Sequence, residues 1–201
     1  MPPDAVAIYA VHAAFWATFG IARLFARTRG PDSSGASGPP PVSNQFVTAP
    51  FSRALIAFHS VAFTVMYVGI VQAVIGGHVP VSSPGQRMIG ALIIAAGAAL
   101  AAWALVNFSS WRFRAKLDAG HQLATGGPFR FLRHPIYMGM NLLALGTAVW
   151  MPTLMVWAGF LLMAIGSDLR ARSEEPLLER TFGRAYQDYR ARTCRFLPGI
   201  Y

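Results

Sequence analysis

The 201-residue sequence predicts an all-α integral membrane protein of about five transmembrane helices, the last two forming a short hairpin. Three observations lead there. The chain is 54% hydrophobic and only 12% charged, against ~25% charged residues in soluble domains. Its apolar runs approach the ~20 residues that cross a hydrocarbon core. Its cationic residues fall almost wholly in alternate loops, which gives those runs a common orientation. A net charge of +9 in so apolar a chain points to basic loops beside a membrane, not to nucleic acid. The single cysteine, Cys194, excludes an internal disulfide and any CxxC metal site, and no metal is expected.

The first span is read from Ala5 to about Ala26, closed by Arg23, Arg27 and Arg29. Met1-Pro2-Pro3-Asp4 has no basic stretch ahead of the apolar run, so a retained span is expected, not a cleaved signal. Gly30 to Pro50, rich in Gly, Ser and Pro, reads as a flexible connector. The second span runs from about Ala54 to Ile75, and the third from about Met88 to Phe108. Small residues crowd the third at Ala95-Ala96-Gly97-Ala98-Ala99-Leu100-Ala101-Ala102, a composition that lets helices approach closely in lipid. Ser109 to Arg133 is a basic connector in which Trp111, Arg112, Arg114 and Lys116 suit the membrane interface.

Two apolar arms follow, Pro135–Trp150 and Thr153 to about Leu169, joined through Pro152. Each is ~16 to 17 residues, at the short limit for a crossing. With these five spans, sixteen of the seventeen Lys and Arg lie on one side and only Arg87 on the other. The positive-inside rule then predicts an N-terminus outside and a C-terminus in the cytoplasm. Residues 1–110 form an N-terminal transmembrane part, and 111–201 carry the residues with chemistry.

Those residues concentrate at two places. Gly126-Gly127-Pro128-Phe129-Arg130-Phe131-Leu132-Arg133-His134-Pro135-Ile136-Tyr137-Met138-Gly139 sets cations and a histidine at the mouth of a helix, where free amides and the dipole favour an anion. Ser173-Glu174-Glu175-Pro176 follows the hairpin's other end, with Ser173 suited to cap a new helix and Gly183 to end it. A hairpin brings its outer ends together, so His134 is expected to meet Glu174 and Glu175. His134, Tyr137 and Asn141 share one helical face, and Asn141 is expected to face protein or ligand rather than lipid. His12, His59 and Gln72 read as interhelical hydrogen-bonding groups.

The string RHPxYxG from Arg133 to Gly139, then EExxL from Glu174, FGxxYxxY from Phe182 and RFLP from Arg195, resembles the isoprenylcysteine carboxyl methyltransferases. Related membrane phospholipid and thiol methyltransferases share the pattern. The resemblance covers about Gly126 to Pro198. It implies S-adenosylmethionine as donor, with residues 111–201 as the donor-binding region, and a hydrophobic or lipid-like acceptor drawn from the bilayer. His134, Tyr137 and Gly139 would line the donor pocket, Pro128, Arg130 and Arg133 would shape its entrance, and Glu175 would contact the donor. Glu174 and Arg180 would flank the acceptor and carry catalysis. The implied setting is the cytoplasmic membrane of a bacterium, with the site on the cytoplasmic side. A membrane sterol or steroid reductase using NADPH is the rival enzyme, since RFLPGIY is similar to such chains' ends, and a non-catalytic scaffold is the other alternative.

Overall fold

The computed structural model describes residues 3–28, 47–48, 51–77, 82–108, 116–117 and 123–197. Its helices are α1 (Pro3–Thr28), α2 (Ser52–Ile75), α3 (Pro84–Val106), α4 (Pro135–Trp150), α5 (Leu154–Phe182) and α6 (Arg184–Arg192). Two short strands, β1 (Val47–Thr48) and β2 (Lys116–Leu117), pair antiparallel, with Val47 opposite Leu117. The rest of the 30–50 connector, together with Trp111, Arg112 and Arg114, lies outside the described residues. Helices α1, α2, α3 and α5 are each long and apolar enough to cross a membrane.

The ends of these helices follow from local chemistry. Ser83 accepts from the Gln86 amide while the Gln86 side chain accepts from the Ser83 amide, a reciprocal cap that starts α3. Pro135 occupies the first turn of α4, where its missing N–H costs nothing. Thr153 caps α5 through its hydroxyl, which accepts from the Val156 amide at 3.2 Å.

The second arm of the hairpin is longer than the sequence suggests. Helix α5 has 29 residues, against 16 in α4. It does not stop near Leu169 and restart at Ser173. The Ser173 hydroxyl donates back to the Arg170 carbonyl at 2.9 Å, an interior bond and not a cap. Pro176 sits inside the helix on its exposed side, where it cannot donate to the Arg172 carbonyl one turn back. The expected stop at Gly183 is present, with φ +54 and its amide donating to Glu179.

Glycine sets the packing of α3 on α4. Gly97 and Gly139 face each other, and a Cβ on either would stand 2.7 to 2.8 Å from the other's carbonyl oxygen. Seven residues along each helix, Gly90 and Gly146 repeat the contact at 2.6 Å. The pairing is antiparallel and brings backbones together, which in lipid is the main source of helix adhesion. Helices α2 and α5 use the same device, since a Cβ on Gly159 would meet that of Met66 at 2.7 Å.

Two of the polar residues in the spans, His12 and His59, bond between helices as expected, while Gln72 is exposed. His12 bonds Tyr67 at 3.0 Å and Thr147 at 2.9 Å, which ties α1 to α2 and α4. Antiparallel order places the end of α1, the start of α2, the end of α3 and the start of α4 at one end of the bundle. Both polar concentrations lie there.

Replacing Gly146 with leucine should force α3 and α4 apart. The expected loss is about 1–3 kcal/mol of stability, read as a lower midpoint in detergent-solubilised thermal unfolding. A leucine at Gly20, which has nothing within 4 Å of a built Cβ, should leave the midpoint unchanged.

Candidate active site

The junction ahead of α4 is shaped by a 3-10 turn at Gly127–Arg130. Gly127 takes φ +56, and a Cβ there would lie 2.6 Å from the Asn107 side chain at the end of α3. Only glycine meets both conditions. The chain then runs through Leu132, which forms a parallel bridge with Cys194. Arg133 N–H donates to the Cys194 carbonyl at 2.8 Å, and Cys194 N–H donates to the Phe131 carbonyl at 3.0 Å. The C-terminal segment is therefore laced along the junction by backbone bonds.

Side chains complete the join around Glu175. Its carboxylate accepts from Arg133 Nε at 3.0 Å and from Arg195 Nε and Nη2 at 2.9 and 2.8 Å. The Arg195 contact is a two-pronged pair of the kind that matches guanidinium to carboxylate. Arg195 also donates to Asp168 at 3.2 Å, and Arg133 reaches the carbonyls of Arg190 and Thr193. Tyr189 donates its hydroxyl to the Phe129 carbonyl at 2.9 Å, which fixes α6 against the turn. Burial pushes the Tyr186 and Tyr189 phenols above their ordinary range, so both keep their protons, though only the Tyr189 hydroxyl has a hydrogen-bond partner among the described residues.

The ends of the hairpin meet as the sequence predicts. His134 Nδ1 stands 3.7 Å from Glu174 and its Nε2 stands 3.5 Å from Glu175. The second contact lacks hydrogen-bond geometry, and buried Nε2 has no hydrogen-bond partner among the described residues. Tyr137 donates its hydroxyl to Glu174 at 2.5 Å. Arg170, four residues before Glu174 on α5, lies 3.7 Å from that carboxylate and places its guanidinium 4.7 Å from the centre of the Tyr137 ring. The His134 ring lies parallel to the same ring at 5.6 Å. Tyr137 is thus flanked by a cation and an imidazole.

The sequence-predicted residues therefore separate into groups. Arg133, His134, Tyr137, Glu174 and Glu175 converge on one cluster. Pro128 is buried in the turn below it, while Arg130 is exposed. Gly139 faces Gly97 and Ala101 of α3. Arg180 lies exposed on α5, six residues beyond Glu174 and on another face of the helix. The sequence reading gives no role to Arg170, Asp168 or Arg195, though the spacing of Arg170 to Glu174 is the i,i+4 signature of a helical ion pair. No spacing rule links Arg195 to Glu175, because their contact depends on the turn at Gly183.

S-adenosylmethionine, the donor that the motif resemblance implies, has a carboxylate, an ammonium, a sulfonium and a ribose diol. The cluster offers a carboxylate at Glu174, a guanidinium at Arg170 and an imidazole nitrogen at His134 that makes no hydrogen bond among the described residues. That donor set fits a zwitterionic ligand.

Residues 86–185 match the family model described as phospholipid methyltransferase. The match begins in α3, ahead of the motif-bearing region. A protein-S-isoprenylcysteine O-methyltransferase of Dictyostelium discoideum is 31% identical over 83 residues, covering 40% of this chain and 35% of the relative. A probable protein-S-isoprenylcysteine O-methyltransferase of Oryza sativa subsp. indica is 34% identical over 88 residues, covering 40% of this chain and 42% of that relative. The chain is isoprenylcysteine-methyltransferase-like over this region, and the match spans about two fifths of these relatives' length or less.

Replacing Glu175 with alanine leaves Arg133 and Arg195 without their shared acceptor. The expected effect is about 3 kcal/mol of lost stability at this join, with faster hydrogen exchange at 193–197 and little change in α1 to α3. Arg180→Ala, at an exposed position, should alter neither.

Proposed function

We propose that this isoprenylcysteine-methyltransferase-like chain transfers a methyl group from S-adenosylmethionine to a hydrophobic or lipid-like acceptor at the His134–Tyr137–Glu174 cluster. The observation that carries the reading is the cluster itself. It combines a buried imidazole nitrogen that makes no hydrogen bond among the described residues, 3.5 Å from the Glu175 carboxylate, with a carboxylate and a guanidinium held in opposition, at the end of an apolar bundle. A soluble, charged donor and an apolar acceptor would reach such a place from opposite sides. The positive-inside count supports reading this end of the bundle as the cytoplasmic one.

The donor supplies an activated methyl group, and displacement at that carbon needs no metal. What the chain supplies is position and dryness. Arg170 and His134 are placed to hold the donor's carboxylate. Tyr137 keeps Glu174 aimed, since its hydroxyl already donates to that carboxylate. Glu175, bonded by Arg133 and Arg195, holds the C-terminal segment beside the cluster. If the acceptor carries a proton at the reacting atom, Glu174 is the group placed to take it. A carboxylate acceptor needs no base, and Arg180 would then have to turn inward to hold it.

Calorimetry on the detergent-solubilised protein, titrated with S-adenosylhomocysteine and separately with NADPH, tests the reading. Binding of S-adenosylhomocysteine is expected, with His134→Ala and Glu174→Gln each weakening it by roughly tenfold, a loss of ~1.4 kcal/mol. Binding of NADPH alone would overturn the proposal in favour of a reductase.

A further inference from the structure

Side chains on α4 and α5 form a polar ladder that runs inward from the surface of the bundle. The outermost rung is His134 with Glu174 and Glu175. The next is Tyr137 with Glu174 and Arg170. One turn deeper, the Ser167 hydroxyl donates to Asn141 Oδ1 at 2.8 Å, and His59 of α2 joins Ser167 at 3.3 Å through Nε2. The other ring nitrogen of His59 meets the Leu55 carbonyl at 3.2 Å. Beyond this rung the same stripe turns apolar, with Ala144, Ala148 and Met163 fully buried, while Thr147 bonds His12 on another face of α4. The rungs thus pass from ionic to neutral with depth.

The third rung is left incomplete. Ser167 engages one half of the Asn141 carboxamide, and the other half has no hydrogen-bond partner among the described residues. Turning the amide over exchanges N–H for C=O at the open half and leaves it equally unused. Asn141 is half-buried, within an otherwise apolar helix. A primary amide at such a depth is costly unless something bonds it. The rest of the rung is built to hold it still. Gly166 makes room for His59, since a Cβ there would stand 3.0 Å from the ring. Ser167, fully buried, then fixes the amide's near end.

We infer that Asn141, held by Ser167 and His59, binds the polar head of the methyl acceptor, so that an apolar molecule whose head carries an amide or amine able to hydrogen-bond is the substrate class. This rests on reading the cluster as a methyl-transfer site. Asn141 lies four residues, about 6 Å, beyond Tyr137 along α4. A head bonded there has its reacting atom beside Tyr137 and Glu174, with its chain against the apolar faces deeper in the bundle. An amide beside a thioether or carboxyl group, or an ethanolamine headgroup, carries the needed donor or acceptor.

The test measures methyl transfer by the full chain in lipid nanodiscs, from labelled S-adenosylmethionine to N-acetyl-S-farnesylcysteine and to phosphatidylethanolamine. Asn141→Leu and Ser167→Ala are compared with wild type, and S-adenosylhomocysteine affinity is measured for all three. The expected result is a KM for the methylated acceptor raised about fivefold, the loss of one neutral hydrogen bond, with kcat and S-adenosylhomocysteine affinity within twofold of wild type. An unchanged acceptor KM, or a fall in S-adenosylhomocysteine affinity parallel to the rise in KM, overturns the inference. So does a wild type that binds S-adenosylhomocysteine and methylates neither acceptor. Failure of wild type to bind S-adenosylhomocysteine at all overturns the methyltransferase reading instead, which keeps the two failures apart.

Discussion

One carboxylate holds the functional end of this molecule together. Glu175 is shared by Arg133, from the junction before α4, and Arg195, from the segment after α6. Three parts of the chain distant in sequence meet on it, and each has an independent reason to be there. Leu132 and Cys194 bridge by backbone, Tyr189 reaches the Phe129 carbonyl, and Arg195 continues to Asp168. Breaking a buried charge pair costs more than making it gains, because the remaining partner stays desolvated. Such a join is therefore better suited to fixing geometry than to adding stability.

What it fixes is the relation between His134 and Glu174. Neither residue is bound tightly to the other, at 3.7 Å. They are neighbours because the hairpin returns α5 alongside α4 and because Glu175, one residue on, is anchored. The glycine contacts do comparable work inside the bundle. Gly97 against Gly139 and Gly90 against Gly146 set how closely α4 can lie on α3, and so where the ladder of polar rungs begins. Gly139 therefore bears on the site through helix position, whatever else it touches.

Much of this was legible beforehand, for identifiable reasons. Hydrophobic length located α1 to α4 within a few residues, because desolvating a helix in lipid tolerates few charges. Pro135 and Gly183 marked helix ends, because each constrains its own backbone. The meeting of His134 with the Glu174–Glu175 pair followed from hairpin geometry. The unbroken course of α5 past Ser173 and Pro176 did not, because Ser and Pro signal a helix start only when tertiary contacts leave the choice open. Here the contacts of Arg170, Glu174 and Glu175 on one side, and of Leu177 and Phe182 on the other, hold the helix through that stretch.

The sequence by itself determined that the chain is apolar, helical and basic at one end, and which short motifs carry its polar groups. Those properties depend on composition, on spacing along a helix and on single-residue backbone constraints, all of which are local. The tertiary structure decided that Glu175 faces two arginines and not open space, that Arg170 covers Tyr137, that Arg180 lies outside, and that Asn141 keeps half its amide unused beside Ser167 and His59. Each of those outcomes depends on where a second helix or the C-terminal segment comes to rest. That placement is set by glycine contacts and shared charges between residues far apart in the chain, which no local pattern encodes.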